Sequence, residues 1–192
     1  MFNLPMIIYE EKNLASEVLK KFKVIDPAAV IAGGAPRDWY MDNKCNDIDI
    51  YLRAPMHKTD YHRKLIFSQL GFDAQAINPK DENYKTINGL QAVYEFEYKG
   101  KIFNIMFMSD EIAPPFTQHF SCSICEIAYD GYSYIPSQRF KDSILRGEIV
   151  LADGYEGTEK HIQKMMLRFP MYRFLKPVTP EVSFIPVNVT VV

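Results

Sequence analysis

Apolar residues recur along the chain with two periods, and each period predicts its own kind of element. Leu14, Val18, Leu19 and Phe22 in EEKNLASEVLKKF fall on one face of a helix of two to three turns. AVIAGG reads as a short buried strand running into a glycine turn, and Pro36 suits the first turn of the helix that follows, where its missing N–H is not needed. That short helix carries Arg37, Asp38, Trp39 and Tyr40, and DIDIYL after it is a strand. HKTDYHRKLIFSQLGF predicts a helix that turns Tyr61, Leu65, Ile66 and Leu70 inward and ends at Gly71. LQAVYEFEY and KIFNIMFM flank Lys99-Gly100 and predict a β-hairpin. SCSICEIAYDGYSYI has no decisive period, whereas SQRFKDSILRG and GTEKHIQKMMLRFPMYRFL are helical, the second ended or kinked by Pro170. PVTPEVSFIPVNVTVV is β-prone but broken by prolines, in the manner of an edge strand or arm. These elements form one domain over residues 1–176, with residues 177–192 as a tail.

Composition fits that picture. Of 192 residues, 47% are apolar and 24% charged, which is the balance of a folded globular chain with one core. The net charge is −2 with both signs interspersed, so the broad basic surface of a general nucleic-acid binder is missing and any such contact must be local. MFNLPMIIYEEKN has no basic leader and is interrupted by Pro5, so it does not make a signal peptide. No apolar run reaches membrane-spanning length, and three cysteines, an odd number, suit a reducing cytoplasm. The expected location is therefore cytoplasmic, without membrane contact. His119, Cys122 and Cys125 have the atoms for three zinc ligands, but their apolar surroundings and the lack of a second cysteine pair favour thiols buried in the core.

The candidate chemistry lies in VIAGGAPRDWYMDNKCNDIDIYL. On a strand, Asp47 and Asp49 project from one face while Ile48 and Ile50 anchor the other, with the two aspartate Cα atoms about 7 Å apart. Carboxylates so placed can converge on a pair of divalent ions, the arrangement used for in-line displacement at phosphorus. Gly33 and Gly34 let backbone approach a ligand, the helix start near Pro36 offers unpaired N–H groups to an anion, and Arg37 adds a fork suited to phosphate oxygens. An EF-hand reading fails at the run Ile50-Tyr51-Leu52, and no Gly-Lys-Ser/Thr of a Walker loop is present. Farther on, Lys160, Lys164 and Arg168 form a basic stripe opposite Ile162, Met165, Met166 and Phe169. That stripe reads either as a solvated helix face or as a phosphate contact.

GGAPRDWYMDNKCNDIDIYL resembles the signature of the DNA polymerase beta-like nucleotidyltransferase superfamily: glycines, a gap of about a dozen residues, then acid-hydrophobic-acid on a strand. More narrowly, Gly33-Gly34-x-x-Arg37-Asp38 followed by Asp47-x-Asp49 is similar to the head domain of class II tRNA nucleotidyltransferases (CCA-adding enzymes) and bacterial poly(A) polymerases. FSCSICEIAYDG resembles that family's DFTINAMAYD segment at Ile124 and at Ala128-Tyr129-Asp130, but Ser121 and Phe120 stand where the family has aspartate and arginine. EKHIQKMMLRFPMYRF resembles the basic helix after the head, with Arg168-Phe169 the clearest match. A third carboxylate is common on a neighbouring strand in the superfamily; the corresponding residue here is Asn104, whose neutral oxygen can ligate a metal weakly but cannot act as a base. Glu95 and Glu97 share a face of the other hairpin strand, so one of them could substitute for that carboxylate, but they read more readily as solvated acids opposite Val93, Tyr94 and Phe96.

The resemblance implies a mixed α/β nucleotidyltransferase fold, a short, twisted, mostly antiparallel sheet backed by helices. It implies transfer of a nucleoside monophosphate, most simply AMP from ATP, to an acceptor hydroxyl on an RNA or tRNA 3′ end or on a protein, with release of pyrophosphate. Asp47 and Asp49 would be catalytic and, with Asn104, would hold Mg²⁺ or Mn²⁺. Gly33, Gly34, Arg37, Asp38, Lys164 and Arg168 would bind the nucleotide. Two other readings stay open: a catalytically degenerate nucleotide- or RNA-binding module, and a toxin- or antitoxin-type enzyme that nucleotidylates a protein or a tRNA.

Overall fold

A computed structural model describes residues 4–53, 59–80, 84, 87–117, 120–152 and 159–175, without the side chains of 159–161. The apolar period of the first helix extends further back than its clearest repeats. Helix α1 runs over Leu4–Phe22, with Pro5 in its first turn, where a proline forfeits no hydrogen bond. Strand β1 (Val30–Ala32), helix α2 (Gly34–Tyr40) and strand β2 (Asp47–Arg53) follow as the patterning predicts. Helix α3 (Asp60–Leu70) is capped by Thr59, whose side chain accepts the His62 amide, and closes at Gly71 in the left-handed region at φ 77°. After β3 (Gln75–Ile77), strands β4 (Leu90–Tyr98) and β5 (Lys101–Met108) form the expected hairpin. Its turn residues Lys99 and Gly100 both have positive φ, the two-residue geometry that matches the twist of paired strands.

The stretch without a decisive period forms a short 3₁₀ turn (Ser123–Cys125) and a second hairpin, β6 (Ile127–Tyr129) and β7 (Tyr134–Pro136). Helix α4 (Gln138–Arg146), β8 (Glu148–Val150), α5 (Glu159–Arg168) and β9 (Arg173–Leu175) complete the order. Pro170 lies just beyond α5, and the chain after it pairs with β8 as β9 instead of staying helical. The tail proposed for residues 177–192 and His119 of the zinc reading lie outside the described residues.

Seven strands form one sheet in the order β3-β4-β5-β2-β1-β6-β7, with every pair antiparallel except β2 and β5. This is the mixed, mostly antiparallel sheet backed by helices that the sequence implied. One face packs on α1 and α3 through a core that includes Phe22, Ile48, Ile50, Phe67, Phe103 and Phe107. Phe22 stacks on Phe72, and Phe96 stacks on both Phe72 and Phe103, rings that each contribute on the order of 2 kcal/mol by burial. The inward face of α3 differs from expectation: Ile66, Phe67 and Arg63 are buried, whereas Tyr61 and Leu65 are exposed. Phe67 fills the aromatic cluster, and Arg63 lays its guanidinium over Phe107, so the helix is rotated toward those two residues.

The opposite face is divided. One half is roofed by a second core of Val30, Tyr51, Val93, Met106 and Phe116, with Phe120 and Ile77 at its margin. The other half carries the acids. A third core of Cys122, Ile124, Cys125, Phe140, Ile149, Met165 and Phe169 joins α4 and α5 to the end of the sheet.

Candidate functional site

The strand register sorts polar from apolar residues into rungs that cross the sheet. Tyr51 pairs with Met106, Met106 with Val93, and Val93 with Ile77, and all four belong to the roofed core. The next rung on the same face is polar throughout: Asp49 pairs with Asn104, Asn104 with Glu95, and Glu95 with Gln75. One rung further, Asp47 pairs with Ile102 and Ile102 with Glu97. Alternation along each strand therefore places Asp47, Asp49, Asn104, Glu95 and Glu97 on one side. Val93 shares that side with Glu95, while Tyr94 and Phe96 face the other core, which corrects the expectation that all three oppose the glutamates.

Asp47 is exposed and Asp49 half-buried. The Asn104 amide nitrogen donates to Asp49 Oδ1 at 2.9 Å, and Asn104 Oδ1 is buried with no hydrogen-bond partner. Burial, then the negative charge of Asp47, raises the Asp49 pKa to about 7, against the opposing hydrogen bond from Asn104. A half-buried carboxylate beside a second acid, with an unsatisfied amide oxygen next to it, lacks positive charge. The donors are all oxygen, as Mg²⁺ and Mn²⁺ require, but among the described residues no three acidic, histidine or cysteine side chains gather, so an ion here would meet two carboxylates and one amide oxygen.

Gly33 turns the chain from β1 into α2 at φ 85° and ψ −121°, a conformation strained for any side chain, and a Cβ added there would lie 3.6 Å from the ring of Phe120. Gly34 differs, since a Cβ there would meet no atom nearer than Arg37 Nη2 at 3.8 Å. The open space beside Gly34 is where the backbone can be approached from outside.

Arg37 and Asp38 are brought to the site but face inward. Arg37 is 5% exposed; its Nε donates to Asp38 Oδ1 at 2.9 Å and its Nη1 to the Cys125 sulfur at 3.2 Å, while its guanidinium lies over Phe169. Asp38 Oδ2 accepts from Arg168 at 2.5 Å, so this carboxylate bridges α2 and α5. Burial raises the Asp38 pKa, with Arg37 and Arg168 pulling it back. Cys122 lies 3.6 Å from Cys125 and donates to it; that hydrogen bond, with Arg37 assisting, lowers the Cys125 pKa. The cysteines are thus core thiols, as their surroundings suggested, but one of them also holds Arg37. On α5, Met165 and Phe169 are buried as expected and Lys164 is exposed, whereas Met166, placed on the same apolar face by the sequence, is exposed. The Lys160 side chain lies outside the described residues.

One anchoring group has no sequence signal. Glu11 of α1 accepts from Trp39 Nε1 at 3.1 Å, from the Cys45 amide at 3.3 Å and from Lys101 Nζ at 2.6 Å, and Lys101 also donates to the Cys45 carbonyl. Four elements or loops meet at that carboxylate, among them the loop at Cys45, two residues before Asp47. Glu11 sits on the polar side of a helix pattern like any solvated acid, and only the folded chain shows what it holds.

No family model and no curated protein sequence matches the chain. Solved structures do. The Thermotoga maritima CCA-adding enzyme complexed with tRNA superposes with a TM-score of 0.56 at 16% identity, over 85% of this chain and 38% of that one. A CCA-adding enzyme in complex with CTP gives 0.55 at 14% identity, over 88% and 43%. A tRNA-processing enzyme in an apo form gives 0.55 at 14%, over 84% and 43%. The chain spans about two fifths of the length of these structures, and its fold is the nucleotidyltransferase-like fold that they contain.

Proposed function

We propose that this chain is a metal-dependent nucleotidyltransferase that transfers a nucleoside monophosphate, AMP from ATP, to an acceptor hydroxyl. The observation that carries the reading is the polar rung: Asp49 and Asn104 side by side, Asp47 one rung away, and an orphaned Asn104 oxygen among them. The acceptor hydroxyl gives its proton up to water as its oxygen forms a bond to the α-phosphorus, the bond from that phosphorus to the oxygen bridging to the β-phosphate breaks, and pyrophosphate leaves. Mg²⁺ or Mn²⁺ held by Asp47, Asp49 and Asn104 Oδ1 would neutralise charge on the triphosphate and the departing pyrophosphate. Asp47 and Asp49 orient the reacting groups at the N-terminal end of β2, where that strand runs past the short β1. Gly33 makes the turn that presents Gly34, Gly34 admits the phosphates close to backbone, and Lys164 with Arg168 supplies positive charge from α5. Arg37 and Asp38 serve this site from behind: Asp38 fixes Arg168, and Arg37 fixes Asp38.

The acceptor is an RNA or tRNA end, by analogy with structural neighbours that were solved with tRNA and CTP, or a protein hydroxyl. A cytoplasmic setting agrees with three free cysteines, and no described helix is long and apolar enough to cross a membrane. Asn104 favours a second reading, a nucleotide-binding module without turnover, because a neutral amide stands between Asp49 and Glu95. One assay separates them. The protein is incubated with labelled nucleoside triphosphates, Mg²⁺ or Mn²⁺, and total RNA or lysate, beside Asp47→Ala/Asp49→Ala. Label transfer that disappears in the double variant supports the enzyme and identifies its acceptor class. ATP binding without transfer to any acceptor sinks catalysis and leaves the binding module.

A further inference from the structure

The three thiols of this chain are all free, and their surroundings differ. Cys45 lies beside the Glu11 carboxylate, and burial with that negative charge pushes its pKa up to about 12. Cys122 and Cys125 instead meet sulfur to sulfur at 3.6 Å, with the Cys122 thiol donating. The Cys125 amide donates to the Cys122 carbonyl at 3.0 Å, which closes one 3₁₀ turn between them. The ends of such a turn have Cα atoms less than about 7 Å apart, within the reach of a disulfide. Arg37 Nη1 also donates to the Cys125 sulfur, at 3.2 Å. A cation and a thiol donor on one sulfur favour its thiolate, the form that reacts with oxidants, and the Cys125 pKa is lowered accordingly.

We infer that Cys125 and Cys122 are an oxidation site for hydrogen peroxide, at which Cys125 is oxidised first and Cys122 then closes a reversible disulfide on it. Exposure sets that order: Cys125 is 8% exposed and Cys122 only 1%, so a small oxidant meets Cys125. The Cys125 thiolate attacks one peroxide oxygen, a sulfur–oxygen bond forms, the oxygen–oxygen bond breaks, and hydroxide leaves. The Cys122 sulfur then attacks the sulfenic sulfur, the sulfur–sulfur bond forms, and the hydroxyl departs as water with the Cys122 proton. The two sulfurs together give up two electrons, and the peroxide takes both. A disulfide sulfur is neutral, so Arg37 loses its anionic sulfur acceptor and keeps Asp38 at 2.9 Å and the Met165 sulfur at 3.7 Å. Since Arg37 orders Asp38, and Asp38 orders Arg168, oxidation loosens the support behind the phosphate side and lowers nucleotide affinity. That consequence rests on the nucleotidyl-transfer reading above; the oxidation site does not.

The test treats the reduced protein with hydrogen peroxide, quenches with catalase, unfolds the chain, and maps its remaining thiols by alkylation and peptide mass spectrometry. Cys122 and Cys125 are expected to become protected together, at least about tenfold faster than Cys45, and to be recovered with dithiothreitol. In Cys122→Ser no second thiol is at hand, and Cys125 should accumulate as a sulfenic acid that dimedone traps. Protection of neither thiol, or loss of all three at one rate, overturns the site, and the wild-type map gives that answer whether or not the variant folds. ATP affinity of the reduced, oxidised and re-reduced protein reads the consequence. A reversible fall of about threefold or more supports the link through Arg37. A disulfide that forms without changing ATP affinity overturns that link, and a reduced protein that binds no ATP overturns the nucleotide reading while the thiol map still decides the oxidation site.

Discussion

At the scale of single residues, the two adjacent glycines are separable. Gly33 holds a backbone conformation outside the range of side-chain-bearing residues, so Gly33→Ala is expected to cost about 1–3 kcal/mol of stability. Gly34 is helical with room for a methyl group, and Gly34→Ala should leave stability unchanged or raise it by up to about 1 kcal/mol. Urea denaturation checks both values. A Gly34→Ala protein that folds normally yet binds ATP more weakly would report that the nucleotide approaches this backbone. Asp49 gives a pH signature. Its folded pKa is raised to about 7 from an ordinary 3.8, so the folded state holds the proton more tightly than the unfolded chain does. Its stabilising contribution is full below the unfolded value and is lost as pH rises toward 7. In metal-free buffer Asp49→Asn should therefore melt above wild type at pH 8, with the difference shrinking toward pH 4; a pH-independent difference would contradict the burial argument. Asp47 and Asp49 were legible in the sequence because strand alternation is a local rule. The inward turn of Arg37 was not, because its partners Cys125 and Phe169 lie 88 and more positions away and nothing local announces them.

Among elements, the Asp38 carboxylate ties α2 to α5, beside the contact of Arg37 with the Met165 sulfur. Removing Asp38 leaves Arg37 buried against apolar neighbours without its counter-charge, and Asp38→Ala is expected to destabilise by about 3–5 kcal/mol. Arg168→Ala should cost no more than about 1 kcal/mol, since its side chain is partly exposed and Asp38 keeps Arg37. Chemical denaturation of the two variants tests that asymmetry, and equal losses would mean that the link to α5, not the buried pair, carries the energy. The hairpin, α2 and β2 followed from turn residues and short-range periodicity. The rotation of α3 did not, because whether Leu65 or Phe67 enters the core depends on the aromatic cluster of Phe22, Phe96 and Phe107 assembled by other elements. The hairpin β6–β7 escaped for a related reason. Its strands are three residues each and sit against an already formed sheet, so their stability comes from pairing with β1 and not from their own pattern.

For the whole molecule, charge sets how an RNA acceptor could be held. The chain carries a net charge of −2, and the open side of its sheet presents Asp47, Asp49, Glu95 and Glu97. Such a surface repels a polyanion unless cations intervene. On α5, Lys164 is exposed, and Arg168 is already paired with Asp38, so these residues offer only one or two phosphate contacts. Each contact on a single strand contributes about −0.7 to the slope of log K against log salt, giving an expected slope of about −0.7 to −1.4 for a short RNA. Fluorescence anisotropy between 50 and 200 mM KCl measures it, and Lys164→Ala should remove about one contact's share. A slope steeper than about −4 would require a basic surface well beyond α5. On the proposed function the shallow slope has a corollary: with little electrostatic grip, discrimination among acceptors would fall to the few groups at the rung itself, where metal, triphosphate and hydroxyl would meet.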